Sequence, residues 1–150
     1  MKNSYKPYSL LILLFCCATL LQAQTPLTPP GRVSVKFNAK YPQQAEKASW
    51  QQTSEGYSAS FSEQGRPTVS RFSAEGRWLG TDTQLRQADL PPTATQYLQD
   101  NHKGFRYLQG YRYESPNGSR YQLDVESAGK RYRLDFDGKG NFVNEGPLKE

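Results

Sequence analysis

The sequence predicts an α+β protein in which a helix followed by an antiparallel β-meander occurs twice. A motif of Phe, three residues, Gly, one residue and a large aromatic residue occurs at 72–78 and again at 136–142. The same offset of 64 residues relates Tyr57 to Tyr121 and Gly65 to Gly129. Both copies also contain stretches with the period-2 alternation of half-buried strands. We therefore expect a tandem repeat (37–80 and 90–144) whose helices pack on one face of antiparallel sheet.

The first 23 residues have the features of a secretory signal peptide. Lys2 and Lys6 give a positive start, an almost unbroken apolar run follows over 10–21, and Ala23 stands at the expected cleavage site. An apolar run of about 12 residues is short for a membrane span, so an uncleaved anchor is the weaker alternative. The segment predicts a periplasmic or secreted protein with no stable membrane span after cleavage.

The composition of the remaining chain limits its class. Both cysteines, Cys16 and Cys17, lie in the signal segment, so the exported domain must depend on its hydrophobic core. Loss of Lys2 and Lys6 would lower the net charge from +5 to +3, which does not favour nucleic-acid binding. The proline-rich stretch 24–34 predicts a flexible tether before a domain over 35–150.

In the first copy we predict a short helix over 40–47, because Tyr41-Pro42 provides a favourable start. A strand near 48–53 follows, and alternating residues over 57–62 predict a second strand. A two-residue turn at Gln64-Gly65 would pair Tyr57 with Phe72. A short last strand then begins at residue 78.

In the second copy, Leu90-Pro91-Pro92 opens a predicted helix that ends near Asn101. Over 105–114 the tyrosines share one parity, which predicts a strand with a tyrosine face. A three-residue loop over 116–118 would pair Tyr113 with Tyr121 and Tyr111 with Leu123.

The following hairpin gives a strong register prediction. A turn at Ala128-Gly129 places apolar residues opposite one another, for example Leu123 opposite Leu134. The same register places opposite charges together on the other face, with Asp124 facing Arg133 and Glu126 facing Arg131.

These features together resemble a known family. They are the F-x-x-x-Y-P start at 37–42, Trp50, the tyrosine-rich strand, the F-x-x-x-G-x-W element and the F-D-G-K-G ending. In this combination the chain resembles the exported PepSY-like proteins, also described as β-lactamase-inhibitor-like. The resemblance spans roughly 37–143 and implies fold far more than function. It implies no catalytic residues, and it implies a protein that binds, and in some relatives restrains, an enzyme.

Candidate catalytic and metal groups are few. His102 is the single histidine and stands at a predicted helix end, an ordinary position for histidine. The loop from Asp135 resembles a calcium loop, but Lys139 and Gly146 occupy ligand positions. We predict no enzyme, metal or cofactor. A small hydrolase is the remote alternative, with acids drawn from Asp82, Asp89, Asp124 and Asp137.

The most informative surface is a cluster of alternating arginines and tyrosines in the second copy. Such a pattern can bind single-stranded nucleic acid, but a salt-paired sheet face explains it better. Tyrosine and arginine are also favoured in protein interfaces. We therefore predict a non-catalytic envelope protein that binds a protein or peptide, with a small-ligand carrier as the alternative. The candidate binding residues are Tyr107, Tyr111, Arg112, Tyr113, Arg120, Arg131 and Arg133.

Overall fold

Eight antiparallel strands form one sheet whose spatial order is the order in sequence. The structure, a computed structural model, describes residues 27–148. The predicted signal peptide therefore lies outside the described residues, as do residues 24–26. The strands are β1 (Ser49–Thr53), β2 (Gly56–Glu63), β3 (Arg66–Ser73), β4 (Trp78–Leu85), β5 (Arg106–Ser115), β6 (Gly118–Ser127), β7 (Lys130–Asp137) and β8 (Phe142–Pro147). β4 pairs with β5, so both halves of the chain share one continuous sheet.

Two α-helices accompany the sheet, which confirms the predicted α+β class. They are α1 (Gly31–Lys40) and α2 (Pro92–Asn101); one short 3-10 turn follows α1 at Pro42–Gln44, and another precedes α2 at Gln87–Asp89. α2 begins and ends where the sequence predicts, with Ala94 and Leu98 buried one turn apart. Within residues 27–148, no helix has the length and apolar character needed to cross a membrane.

The predicted position of the first helix is wrong. Residues 31–34, assigned to the tether, are helical, and the helix ends at Lys40, where it was predicted to begin. Val33 and Phe37 are buried one turn apart and form the apolar stripe of α1. Tyr41 leaves the helical conformation because Pro42 disfavours it in the preceding residue. Prolines just before residue 31 introduce a helix, which composition alone does not distinguish from a linker.

Two of the three predicted hairpin registers are confirmed. Tyr57 lies opposite Phe72 in the β2–β3 hairpin, and Leu123 lies opposite Leu134 in the β6–β7 hairpin. Both turns have positive φ at their first central residue, +51° at Gln64 and +50° at Ala128, followed by glycine. Two successive positive φ values define the tight turn that matches the twist of paired strands.

Each half has its own hydrophobic cluster between its helix and the sheet. The first is aromatic: the ring of Phe37 on α1 lies 5.0 Å from Trp50, 5.4 Å from Phe61 and 6.1 Å from Phe72. The second is mostly aliphatic and contains Leu85, Leu90, Ala94, Leu98, Leu123, Val125, Leu134 and Phe136. Because each cluster joins its helix to strands, the helices and one sheet face are buried together.

The repeated F-x-x-x-G-x-[W/F] motif forms the same turn in both halves. Ser73 Oγ accepts from the backbone N–H groups of Glu75 and Arg77, and Asp137 Oδ1 accepts from those of Lys139 and Asn141. The motif glycines have positive φ, +87° at Gly76 and +84° at Gly140. A Cβ at Gly76 would approach within 2.6 Å of the Arg32 carbonyl oxygen in the first turn of α1. In the first half the motif turn therefore packs directly against the first turn of α1.

Candidate binding face

The sheet has one face packed against the helices and one that no described element covers. The second is called the open face. In a strand, successive side chains point to opposite faces, so the strand pairings assign each residue to one side. In the second half the open face carries Gln109, Tyr111, Tyr113, Arg120, Gln122, Asp124, Arg131, Arg133 and Asp135.

The predicted β5–β6 register is wrong, and its correction changes the face of two tyrosines. Ser115 pairs with Gly118, so the loop has two residues, and Tyr113 lies opposite Arg120 rather than Tyr121. A slip of one residue moves a strand's side chains to the other face. Tyr111 and Tyr113 therefore lie on the open face, where they join the arginines.

A β-bulge in β5 separates the third tyrosine from the other two. The pairing shifts between Tyr107 and Gln109, so Leu108 is the additional residue. Tyr107 consequently remains on the helix side, opposite Val125, and its hydroxyl donates to the Leu85 carbonyl oxygen over 2.8 Å. Burial raises the pKa of Tyr107 to about 12. Its predicted place in the binding cluster is thus wrong.

Arg112 also lies on the helix side. Its guanidinium contacts the Glu114 carboxylate at 2.7 Å and lines a groove of about 240 Å³ together with Glu63 and Arg66. Of the seven candidate residues, five lie on the open face: Tyr111, Tyr113, Arg120, Arg131 and Arg133.

The charges of the open face form cross-strand ion pairs, as the β6–β7 register predicts. Arg133 donates from Nε and Nη2 to the two oxygens of Asp124, each over 2.8 Å. Asp124 is 3% exposed and also accepts from Gln109. The hydrogen bond from Arg133 lowers the pKa of Asp124 in spite of its burial. Glu126 accepts from Arg106 at 2.7 Å and lies 3.5 Å from Arg131.

A cleft of about 370 Å³ opens on this face near the tip of the β5–β6 hairpin. The Arg120 Cζ lies 4.9 Å from the centroid of the Tyr113 ring, a cation–π arrangement. On the other side of the cleft, Arg71 pairs with both oxygens of Asp82, with 2.8 Å between Nη2 and Oδ1. Sequence reasoning missed Arg71 as a site residue. Because Arg71 is next to Phe72 on β3, its side chain is expected on the opposite, open face. Arg71 lies near Tyr113 because both halves share one sheet.

The side chains considered for catalysis form hydrogen bonds or ion pairs with other groups of the protein. Asp82, Asp89 and Asp124 each accept from an arginine, and the Asp137 carboxylate accepts from the amides of its own turn. His102 Nε2 lies 2.9 Å from Glu145 Oε2 and is 7% exposed. Within residues 27–148, no three His, Cys, Asp or Glu side chains are arranged to hold a metal ion.

Neither a protein-family model nor a curated protein matches the chain. Solved structures do match. A BLIP-like protein from Bacteroides fragilis is 25% identical with a TM-score of 0.69, over 83% of this chain and 89% of that one. The chain has a BLIP-like, that is β-lactamase-inhibitor-like, fold. Membership of a PepSY-like family stays a prediction.

Two further crystal structures give the same architecture. A DUF2874 family protein from Bacteroides ovatus is 24% identical with a TM-score of 0.68, over 81% of this chain and 89% of that one. A protein from Bacteroides eggerthii, provisionally described as periplasmic, is 17% identical with a TM-score of 0.67, over 81% of this chain and 90% of that one. At these identities the likeness establishes the fold alone.

Proposed function

We propose that this protein is a non-catalytic component of the cell envelope that binds a protein or peptide through the open face. The observation that supports it best is the pairing of Tyr111 and Tyr113, whose ring centroids lie 6.2 Å apart, beside Arg120 on an uncovered sheet. Aromatic and arginine side chains contribute most of the affinity in many interfaces. That the bound partner is an enzyme held inactive is implied by the family resemblance alone.

The open face is suited to a macromolecular partner because it is wide and rigid. Its residues stand on paired strands, and several are held by cross-strand ion pairs, so little side-chain entropy is lost when a partner binds. Export would place the face in the compartment of envelope proteins, as the predicted signal peptide requires.

We also propose that the two halves are copies of one helix-plus-meander unit. Support comes from the equivalent turns at Gly76 and Gly140, and from the equal offset of the two tight turns at Gln64 and Ala128. If one ancestral unit was duplicated, residues that differ between the halves on the open face are those adapted to a partner.

The small-ligand carrier is the weaker alternative. Such a carrier needs a largely apolar cavity, whereas the space between α1 and the sheet is filled by Phe37 and Phe72, each 1% exposed. The clefts near Tyr113 and Arg112 are open and lined mostly by polar side chains.

Site-specific photo-crosslinking tests the proposal. A benzophenone amino acid at Tyr111 should yield a discrete, saturable adduct with an envelope protein. The same group at Val35, 66% exposed on α1, should not. Excess unmodified protein should suppress the adduct, and excess of a Tyr113→Ala/Arg120→Ala variant should not. Equal labelling from both positions, or labelling from neither, would refute binding by the open face.

A further inference from the structure

The cleft near the β5–β6 hairpin tip differs in charge from the rest of the open face. Elsewhere each arginine has a carboxylate partner: Arg71 pairs with Asp82, Arg106 and Arg131 with Glu126, and Arg133 with Asp124. Within residues 27–148, Arg120 pairs with no carboxylate. A guanidinium is charged at all physiological pH values, so this position has an uncompensated positive charge.

The carboxylate expected to pair with Arg120 accepts hydrogen bonds from other groups. Asp137 lies directly opposite Arg120 on β7, where cross-strand pairing favours a salt bridge. Its Oδ1 instead accepts from the backbone N–H groups of Lys139 and Asn141, at 2.8 Å and 2.9 Å, and its Oδ2 accepts from Asn141 Nδ2. These bonds hold the motif turn in shape and leave Arg120 without that carboxylate partner.

Tyr113 holds the free guanidinium in position. The Arg120 Cζ lies over the ring at 4.9 Å from its centroid, and a guanidinium has a planar set of N–H donors that matches the two oxygens of a carboxylate. Asn117 and Ser119 add polar groups to the same wall of the cleft. Both acidic residues that line the cleft are already paired with an arginine, Asp82 with Arg71 and Glu114 with Arg112. An incoming anion is therefore attracted to the Arg120 side.

We infer that this cleft binds an acidic side chain, aspartate or glutamate, of the polypeptide that occupies the open face. The inference rests on the proposed function and adds the chemical group that the partner must present. The volume of about 370 Å³ accommodates one side chain with its flanking backbone, and the aromatic pair beside it can contact an apolar neighbour of that acid.

Peptide titration of the ¹⁵N-labelled exported protein tests this inference. The probes are acetyl-Ala-Glu-Ala-amide and its neutral match, acetyl-Ala-Gln-Ala-amide. We expect saturable amide shifts at Tyr113 and 117–120 with the glutamate peptide, at a Kd on the order of millimolar, and no saturation with the glutamine peptide. Arg120→Gln should weaken binding of the glutamate peptide about tenfold or more, since hydrogen bonds to charged groups are among the strongest in proteins.

Arg106→Gln is the matched control, because Arg106 is an exposed arginine of the same face that already has a carboxylate partner. It should leave the peptide affinity unchanged. Equal affinity for the two peptides, or equal loss in both variants, would overturn the inference. Inorganic phosphate that competes as strongly as the glutamate peptide would also overturn it, because the cleft would then be a general anion site.

The two proposals fail separately. If crosslinking from Tyr111 persists while the two peptides bind alike, the open face binds a partner without an acidic anchor. If the glutamate peptide discriminates but no crosslink forms, the cleft binds carboxylates and the proposed polypeptide partner is refuted.

Discussion

Each half of the molecule is a helix followed by four strands, and the two halves differ on their open faces. In the first half β2 places only serines on this face, Ser58, Ser60 and Ser62, while β3 and β4 add the Arg71–Asp82 pair. In the second half the positions equivalent to Ser58 and Ser60 are Gln122 and Asp124, and Asp124 is bound to Arg133. The helix-covered positions of the same two strands are instead apolar or aromatic in both halves: Tyr57, Ala59 and Phe61 on β2, and Tyr121, Leu123 and Val125 on β6. Burial of the inner face favours apolar side chains, whereas the open face can carry different polar groups without loss of the core.

The two hydrophobic clusters differ in composition but should contribute equally to the free energy of unfolding, because one sheet joins them. We expect Phe72→Ala and Phe136→Ala each to lower the free energy of unfolding by about 3–5 kcal/mol, since both rings are fully buried. Chemical denaturation followed by circular dichroism should show a single transition in both variants. Phe142→Ala, at 37% exposure, should cost less. Two separated transitions would show that the halves fold independently.

The motif glycines should be needed in both halves for two reasons, backbone conformation and space. Gly65, in the β2–β3 turn outside the motif, is the control: Gly65→Ala affects only backbone conformation, because φ is +76° and a Cβ there meets no atom within 4 Å. We expect it to cost about 1–2 kcal/mol. Gly76→Ala should cost about 2–4 kcal/mol, because the new methyl group also overlaps the first turn of α1. Equal costs in denaturant titrations would mean that the helix moves aside without penalty.

Equivalent positions on the open face of the two halves carry different residues, so their effects on stability can be compared directly. Asp124→Ala removes a nearly buried carboxylate that accepts three hydrogen bonds, from Arg133 and Gln109, and we expect a loss of about 1.5–3 kcal/mol. Ser60→Ala, at the equivalent exposed position of the first half, should change stability by less than about 0.5 kcal/mol. Thermal unfolding of both variants measures the contrast. Similar effects would show that the ion pair adds nothing to stability.

We expect the smallest effect on stability at the junction between the halves, and this effect depends on pH. Arg86 donates to Asp89 and lowers its pKa to about 2, while Arg66 of the first half lies 3.3 Å away. Since the folded state favours the ionised acid, its contribution is complete above about pH 4 and is lost as the pH falls toward 2. Asp89→Asn should reduce the change in stability across that range. An unchanged pH profile would exclude this contribution.

Sequence reasoning succeeded where two independent patterns agreed. The β6–β7 register satisfied both the apolar pairs and the charge pairs, and the structure contains it. α2 was marked by prolines and by helical spacing together. α1 was missed because its apolar stripe consists of only Val33 and Phe37, within a proline-rich context.

The candidate site was predicted only in part, for a local geometric reason. The tyrosines of β5 share parity over 105–114, but the bulge at Leu108 reverses the face between Tyr107 and Tyr111. A bulge depends on the neighbouring strand and has no reliable signature in a single sequence. The composition of the cluster was therefore predictable, and its division between two faces was not.

The strictly sequential strand order has a consequence for how the chain is made. Every strand pairs with its neighbour in sequence, so each connection except residues 86–105, which contain α2, is a short turn, and this favours rapid folding. All buried members of the first core lie between residues 33 and 72. A chain that emerges from its amino end has therefore produced every buried residue of that core before any of the second half appears, and in the finished sheet β5 pairs with β4 and each later strand with the one before it.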